Sequence, residues 1–139
     1  IEGSTSTAIG SASVHSKTNI LITGDLSFIY DQNGLWNNHI PNNLKLFVFN
    51  NQGGGIFKII SGPKNTPFLE EYFETKHELS LKSIAQTHHL NYHCAKNEKE
   101  AEQIIPSVLE SNQFEIVEFF TGNVENEKIL NDYFSVIKK

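Results

Sequence analysis

The segment Leu44-Lys45-Leu46-Phe47-Val48-Phe49 is almost continuously apolar and runs directly into Asn50-Asn51-Gln52-Gly53-Gly54-Gly55. A strand of that composition is buried on both faces, so the chain must supply a layer above it and a layer below. The rest of the sequence reads as those layers. Small residues at 4–14 suit a closely packed helix with Ser4 or Thr5 as N-cap. Ile20-Leu21-Ile22 reads as a short buried strand that ends at Gly24-Asp25, and 26–38 as a helix packed on a sheet, weakened by Gly34. After the glycines, 56–60 is apolar and 61–67 is a loop rich in turn formers. Helices are predicted at 68–75, 81–88, 98–109 and 126–137, the third shortened or kinked by Pro106, with strands at 90–94 and 114–119. Strands alternate with helices and no hairpin signal joins them. The expected fold class is therefore α/β, a three-layer open parallel sheet with helices on both faces.

The 139 residues suit one domain, 1–139, with a core that needs no disulfide. Cys94 is the single cysteine and no apolar run is long enough for a membrane span, so a reducing, cytoplasmic setting is expected. Net charge is -5 and the basic residues stand singly, which argues against nucleic-acid binding. Methionine is absent and the start Ile1-Glu2-Gly3 resembles no signal peptide, as expected of a piece of a longer chain. All eleven basic residues are lysine. Without arginine, the usual bidentate clamp for carboxylates, a site for multiply charged acids would have to find that clamp elsewhere.

In open α/β sheets ligands sit beyond the carboxyl ends of the strands. Two strand ends here are chemically distinctive: Gly24-Asp25-Leu26-Ser27, and Asn50-Asn51 followed by three glycines. A carboxylate, an amide oxygen and a backbone carbonyl make an all-oxygen set of the kind Mg2+ takes, with water and substrate phosphate completing the shell. Glycines let backbone N–H groups approach phosphate oxygens, and a helix opening at Ser27 would add its positive end. Each half alone is usually just a turn. Together, with Gly24-Asp25 about twenty-five residues before Asn50-Asn51, they match the thiamin diphosphate signature Gly-Asp-Gly followed by Asn-Asn, except that Leu26 stands at its third position.

Gly24-Asp25-Leu26-Ser27-Phe28 with Asp31, Asn33 and Gly34, then Asn50-Asn51 through Gly53-Gly54-Gly55-Ile56-Phe57, closely resembles one family. That family is 2-succinyl-5-enolpyruvyl-6-hydroxy-3-cyclohexene-1-carboxylate (SEPHCHC) synthase, the thiamin diphosphate enzyme of menaquinone biosynthesis. Ile1-Glu2-Gly3 with Ser6-Thr7-Ala8, and Thr121-Gly122-Asn123 with Glu125 and Asn126, are similar to the segments that open and close the family's last domain. The resemblance covers nearly the whole chain. It implies the carboxy-terminal, cofactor-binding domain of a three-domain transferase that decarboxylates 2-oxoglutarate and adds the succinyl-semialdehyde carbanion to isochorismate. It implies Mg2+, with Mn2+ as a substitute, held by Asp25, Asn51 and the carbonyl of Gly53. Gly24, Leu26, Ser27 and Gly54 would line the diphosphate, and Ile1 would prop the cofactor in its bent form. Ile56 and Phe57, with Ile60 beside them, would form the apolar wall near the reacting carbons. The activating glutamate would come from a second subunit of a homodimer or homotetramer, so the isolated domain is expected not to turn over.

Two other readings share part of this pattern. Another thiamin diphosphate-dependent 2-oxo acid decarboxylase or acetohydroxyacid synthase would share the metal clamp, but Leu26 and the run Gly53-Gly54-Gly55-Ile56-Phe57 argue against it. A non-catalytic nucleotide-binding module would need a phosphate loop such as Gly-x-Gly-x-x-Gly, which the sequence lacks. His88, His89, His93 and Cys94 could suggest zinc, yet the adjacent pairs point to different faces. Cys94 reads as a core residue, and 96–102 as a solvated helix face. Trp36 and the phenylalanines at 47, 49, 119 and 120 are expected to face the interior.

Overall fold

A computed structural model describes residues 2–137, the side chains of 123–125 excepted. Ile1, expected to prop the cofactor, lies outside the described residues. The chain divides into two compact units, Ile1–Asn50 with Leu79–Phe120, and Asn51–Glu78 with Thr121–Lys139.

The first unit holds the sheet. Strands β1 (Asn19–Gly24), β2 (Leu44–Asn50), β3 (Asn91–Ala95) and β4 (Glu115–Phe120) are all parallel, in the order β1-β2-β4-β3. Register alternation gives β2 two apolar faces. Leu44, Leu46 and Val48 pack with Phe114 and Ile116 of the β4 region under α1 (Ser4–Val14), α2 (Asp25–Tyr30) and α3 (Leu81–Thr87). Phe47 and Val117 point the other way, onto Val108 and Ile104 of α4 (Glu98–Glu110). Helices thus cover both faces of a parallel sheet, as the alternating apolar pattern requires.

Several sequence expectations need correction. The helix expected over 26–38 stops at Tyr30 and resumes as a 3-10 turn, Gln32–Leu35. Leu35 takes the buried place and Trp36 is turned out, 85% exposed. The break falls at Asp31 because its carboxylate is used elsewhere. Asp31 accepts the Ser6 amide and the Ser6 hydroxyl, each at 2.7 Å, and so caps α1 from a distance of 25 residues. Neither Ser4 nor Thr5 is the N-cap; Gly3 holds that position in a left-handed conformation with no side-chain cap bond. Gly34 belongs to the same arrangement, since a Cβ there would lie 2.8 Å from Ser6 Oγ. Pro106 does not shorten its helix, which continues to Glu110. The predicted buried strand at Ile20-Leu21-Ile22 is an edge strand with Ile20 and Ile22 exposed. Phe47 is buried, but Phe49 and Phe120 are exposed at the strand ends, where Phe49 stacks on Phe119 at 5.1 Å.

Charge is buried at the amino ends of the strands as well. Lys45 Nζ donates to the carbonyls of Ser111, at 2.8 Å, and of Gln113, and burial pulls its pKa down against the opposing pull of Glu115. Glu115 in turn accepts Ser111 Oγ at 2.5 Å and Asn91 Nδ2 at 3.2 Å, and sits 3.0 Å from His93 Nε2.

The second unit consists of short turns at Gly55–Lys58 and Pro63–Asn65, a π-helical turn Leu69–Phe73 where an α-helix was expected over 68–75, and α5 (Asn123–Ile137). Its turns are tied by the buried Glu74, which pairs with Lys58 at 2.7 Å and Lys76 at 3.4 Å. Phe57 and Phe73 meet with ring centroids 5.7 Å apart.

Burial works to raise the pKa of Asp31, but hydrogen bonds from Ser6, Thr5 and Gly3 overcome it and hold the carboxyl below its ordinary value. A carboxyl lowered on folding adds stability above its unfolded pKa of about 3.9, and that stability is lost as pH falls through the folded value. Asp31→Asn should therefore cost about 1–2 kcal/mol at pH 7, the range for a lost helix cap, and should lose less further stability than the parent below about pH 4. Urea titrations across that pH range measure both.

Candidate functional site

The carboxyl ends of β1 and β2 lie side by side because the strands are parallel and in register, Gly24 opposite Phe49. Asp25 therefore leaves β1 at the edge of the sheet where Asn50 ends β2. Asp25 is only 2% exposed, and its Oδ1 accepts the Leu26 amide at 2.8 Å. The helix opens at Asp25, with Gly24 as its N-cap, rather than at Ser27, and it is six residues long. Its end field is smaller than the sequence suggested. No described atom lies within 4 Å of where a Cβ on Gly24 would stand, so the protein's own packing does not require glycine there. Ser27 lines a groove of about 470 Å3 between α1 and the outer edge of β1, together with Thr7, Leu21 and Thr23.

Asn51, Gly53, Gly54, Ile56 and Phe57 belong to the second unit, joined to the first by the peptide bond after Asn50. The Gly54 amide donates to the Glu74 carbonyl at 2.5 Å, and the Gly55 amide to the Gly53 carbonyl at 3.1 Å. The Gly54 N–H is thereby committed within the protein. Ile56 is 61% exposed, and Ile60 is exposed as well.

Sequence reasoning missed a buried carboxylate at this end of the sheet. Glu118 of β4 accepts Asn50 Nδ2 at 2.5 Å through one oxygen and the Tyr92 hydroxyl through the other. Burial first, and then that bond to Glu118, raise the Tyr92 pKa far above its ordinary value. Two glutamates, Glu115 and Glu118, in the otherwise apolar Phe114-Glu115-Ile116-Val117-Glu118-Phe119 were the available signal. Among the described residues no three His, Cys, Asp or Glu side chains gather into a possible metal cluster. His93 is engaged with Glu115 instead.

No protein-family model matches the chain. It is 44% identical over 140 residues to the 2-succinyl-5-enolpyruvyl-6-hydroxy-3-cyclohexene-1-carboxylate synthase of Christiangramia forsetii, covering 99% of the chain and 24% of that protein. The synthase of the same name from Flavobacterium psychrophilum is 45% identical over 134 residues, covering 96% of the chain and 24% of the relative. That of Porphyromonas gingivalis is 41% identical over 138 residues, with 99% and 24% covered. The chain thus spans about a quarter of the length of the curated relatives it matches.

Gly55 is fixed by the Asn51 side chain, since a Cβ on Gly55 would run into Asn51 Nδ2. The amide nitrogen is therefore the end turned toward Gly55. Gly55→Ala should destabilise by about 1–3 kcal/mol through overpacking and should displace the Asn51 amide. Chemical denaturation and the NMR shift of the Asn51 side-chain NH2 report the two effects separately.

Proposed function

We propose, for a chain that belongs to the 2-succinyl-5-enolpyruvyl-6-hydroxy-3-cyclohexene-1-carboxylate synthase family, that it is the carboxy-terminal, thiamin diphosphate-binding domain of a menaquinone-pathway transferase. The full enzyme would decarboxylate 2-oxoglutarate and add the four-carbon unit to isochorismate. The observation that carries this reading is the relatives' shared name, supported by the adjacency of the carboxyl ends of β1 and β2.

The donor set fits the metal. Asp25 supplies a buried carboxylate, Asn51 an amide whose nitrogen is packed against Gly55, and Gly53 a carbonyl, all oxygen donors of the kind Mg2+ or Mn2+ accepts. The protein's part would be to hold the cation, with Gly24, Leu26 and Ser27 lining the diphosphate at the β1 end. When bound, thiamin diphosphate supplies the capacity to cleave the bond next to a 2-oxo group. Ile56 and Phe57 would present an apolar surface that keeps water from the reacting carbons.

What the chain lacks points to partners. It has no arginine to grip the acids of 2-oxoglutarate and isochorismate, so those cations belong to other domains or to a second subunit. The second unit exposes Ile56, Tyr72, Ile129 and Tyr133, a surface suited to such neighbours. Among the described residues no helix is long and apolar enough to cross a membrane.

Asp25→Ala in the full-length enzyme should abolish Mg2+-dependent binding of thiamin diphosphate, measured by calorimetry, while leaving the melting transition in place; unchanged affinity would remove Asp25 from the metal shell. In a substrate assay the full-length enzyme should consume 2-oxoglutarate in preference to pyruvate, and the 139-residue segment alone should consume neither. Preference for pyruvate would reject the named reaction in favour of another decarboxylase of the same cofactor class.

A further inference from the structure

We propose that Asp31 is a positioning residue for the cofactor groove, its carboxylate pinning the first turn of α1 from behind and so fixing the wall that faces Ser27. This deepens the thiamin diphosphate reading above and rests on it.

All the parts lie in the first unit. The groove that Ser27 lines has Thr23 of β1 on its floor and Gly3, Ser4, Ala8 and Ser11 along its α1 wall. Ser4, Ala8 and Ser11 share that face of the helix by their spacing, and Ser6 leaves it on the opposite side. There Asp31, only 6% exposed, accepts the Ser6 amide and the Ser6 hydroxyl, each at 2.7 Å, and the amides of Thr5 and Gly3 as well. A helix end with no side-chain cap of its own thus has its free N–H groups gathered onto one buried charge. The turn cannot shift without breaking several bonds to that charge.

Gly34 governs the same distance independently. A Cβ on it would lie 2.8 Å from Ser6 Oγ and 3.1 Å from the Ser6 backbone nitrogen and Cα, so the 3-10 turn and the first turn of α1 are already in close contact. Asp31 draws the helix end in, and the absent side chain at 34 lets it come. Because the N–H groups of that end are taken up by Asp31, the wall meets the groove with small neutral side chains. Its contribution to a ligand is shape, set by where the turn stands. The segment Gly24–Gly34 therefore carries, besides Asp25, the residues that hold the opposite side of the groove in place.

The test uses the full-length enzyme, with thiamin diphosphate affinity measured by calorimetry in the presence of Mg2+ and melting measured without cofactor. Asp31→Asn keeps the volume but turns an NH2 group toward donors. It should weaken thiamin diphosphate binding about tenfold, the factor of one hydrogen bond lost at the ligand. Gly34→Ala leaves the carboxylate untouched but pushes Ser6 away, and should weaken binding to a similar degree. Ser6→Ala removes a single bond and should have a smaller effect, absent when Asp31→Asn is already present. Asn97→Ala removes the side-chain cap of α4, on the other face of the sheet, and should lower the melting temperature while leaving affinity parental. If Asp31→Asn and Gly34→Ala melt early but bind as the parent does, or if Asn97→Ala weakens binding as much, Asp31 serves stability alone and the proposal is overturned. If the parent enzyme takes up no thiamin diphosphate, the cofactor reading itself fails and this inference with it. Should Asp31→Asn not fold, Gly34→Ala decides, and parental affinity in that variant rejects the positioning role.

Discussion

Everything of chemical interest in this chain follows from the parallel pairing around β2. Because β1 and β4 run in the same direction as β2 and in register with it, their carboxyl ends open at a single edge of the sheet. Asp25, Asn50 and Glu118 come from positions far apart in sequence, yet the ladder alone is enough to bring them to that edge. An antiparallel β1 would have delivered Asp25 to the opposite edge, among Lys45 and Glu115.

The sheet is apolar on both faces, but its two ends are held by buried polar groups whose partners are remote in sequence. Lys45 bonds to carbonyls 66 and 68 residues away, Glu118 to an amide 68 residues away, and Asp31 to a helix 25 residues behind it. In each case a charged group that would be costly alone is satisfied by backbone or by an amide. Such bonds form only when the whole unit is assembled, and they tie local turns to the global topology.

That dependence also explains how much could be read in advance. The apolar runs of β2 and β4, the helix at 4–14 and the alternation that makes the sheet parallel all act through local periodicity, and the sequence displays them. The composition of the two strand-end loops was equally visible. What was hidden was the use made of single polar residues. Asp31 looks like a mid-helix aspartate until Ser6 is seen against it; the helix then breaks, and Trp36 swings outward. Ser4 and Thr5 look like caps until a distant carboxylate takes that task. Glu118 carries no local sign that it reaches Asn50, and Ile20 and Ile22 look like core until the strand order places β1 at the rim.

The rim position of β1 has a practical side. Among the described residues this strand is hydrogen-bonded along one flank only, and its sequence Asn-Ile-Leu-Ile-Thr-Gly is uncharged, free of proline and rich in β-branched side chains. A ladder of that kind is a template onto which a further extended segment can add. In the described residues that flank is the part of the sheet most open to pairing with another extended segment, and nothing in the strand's own six residues guards it with charge or proline.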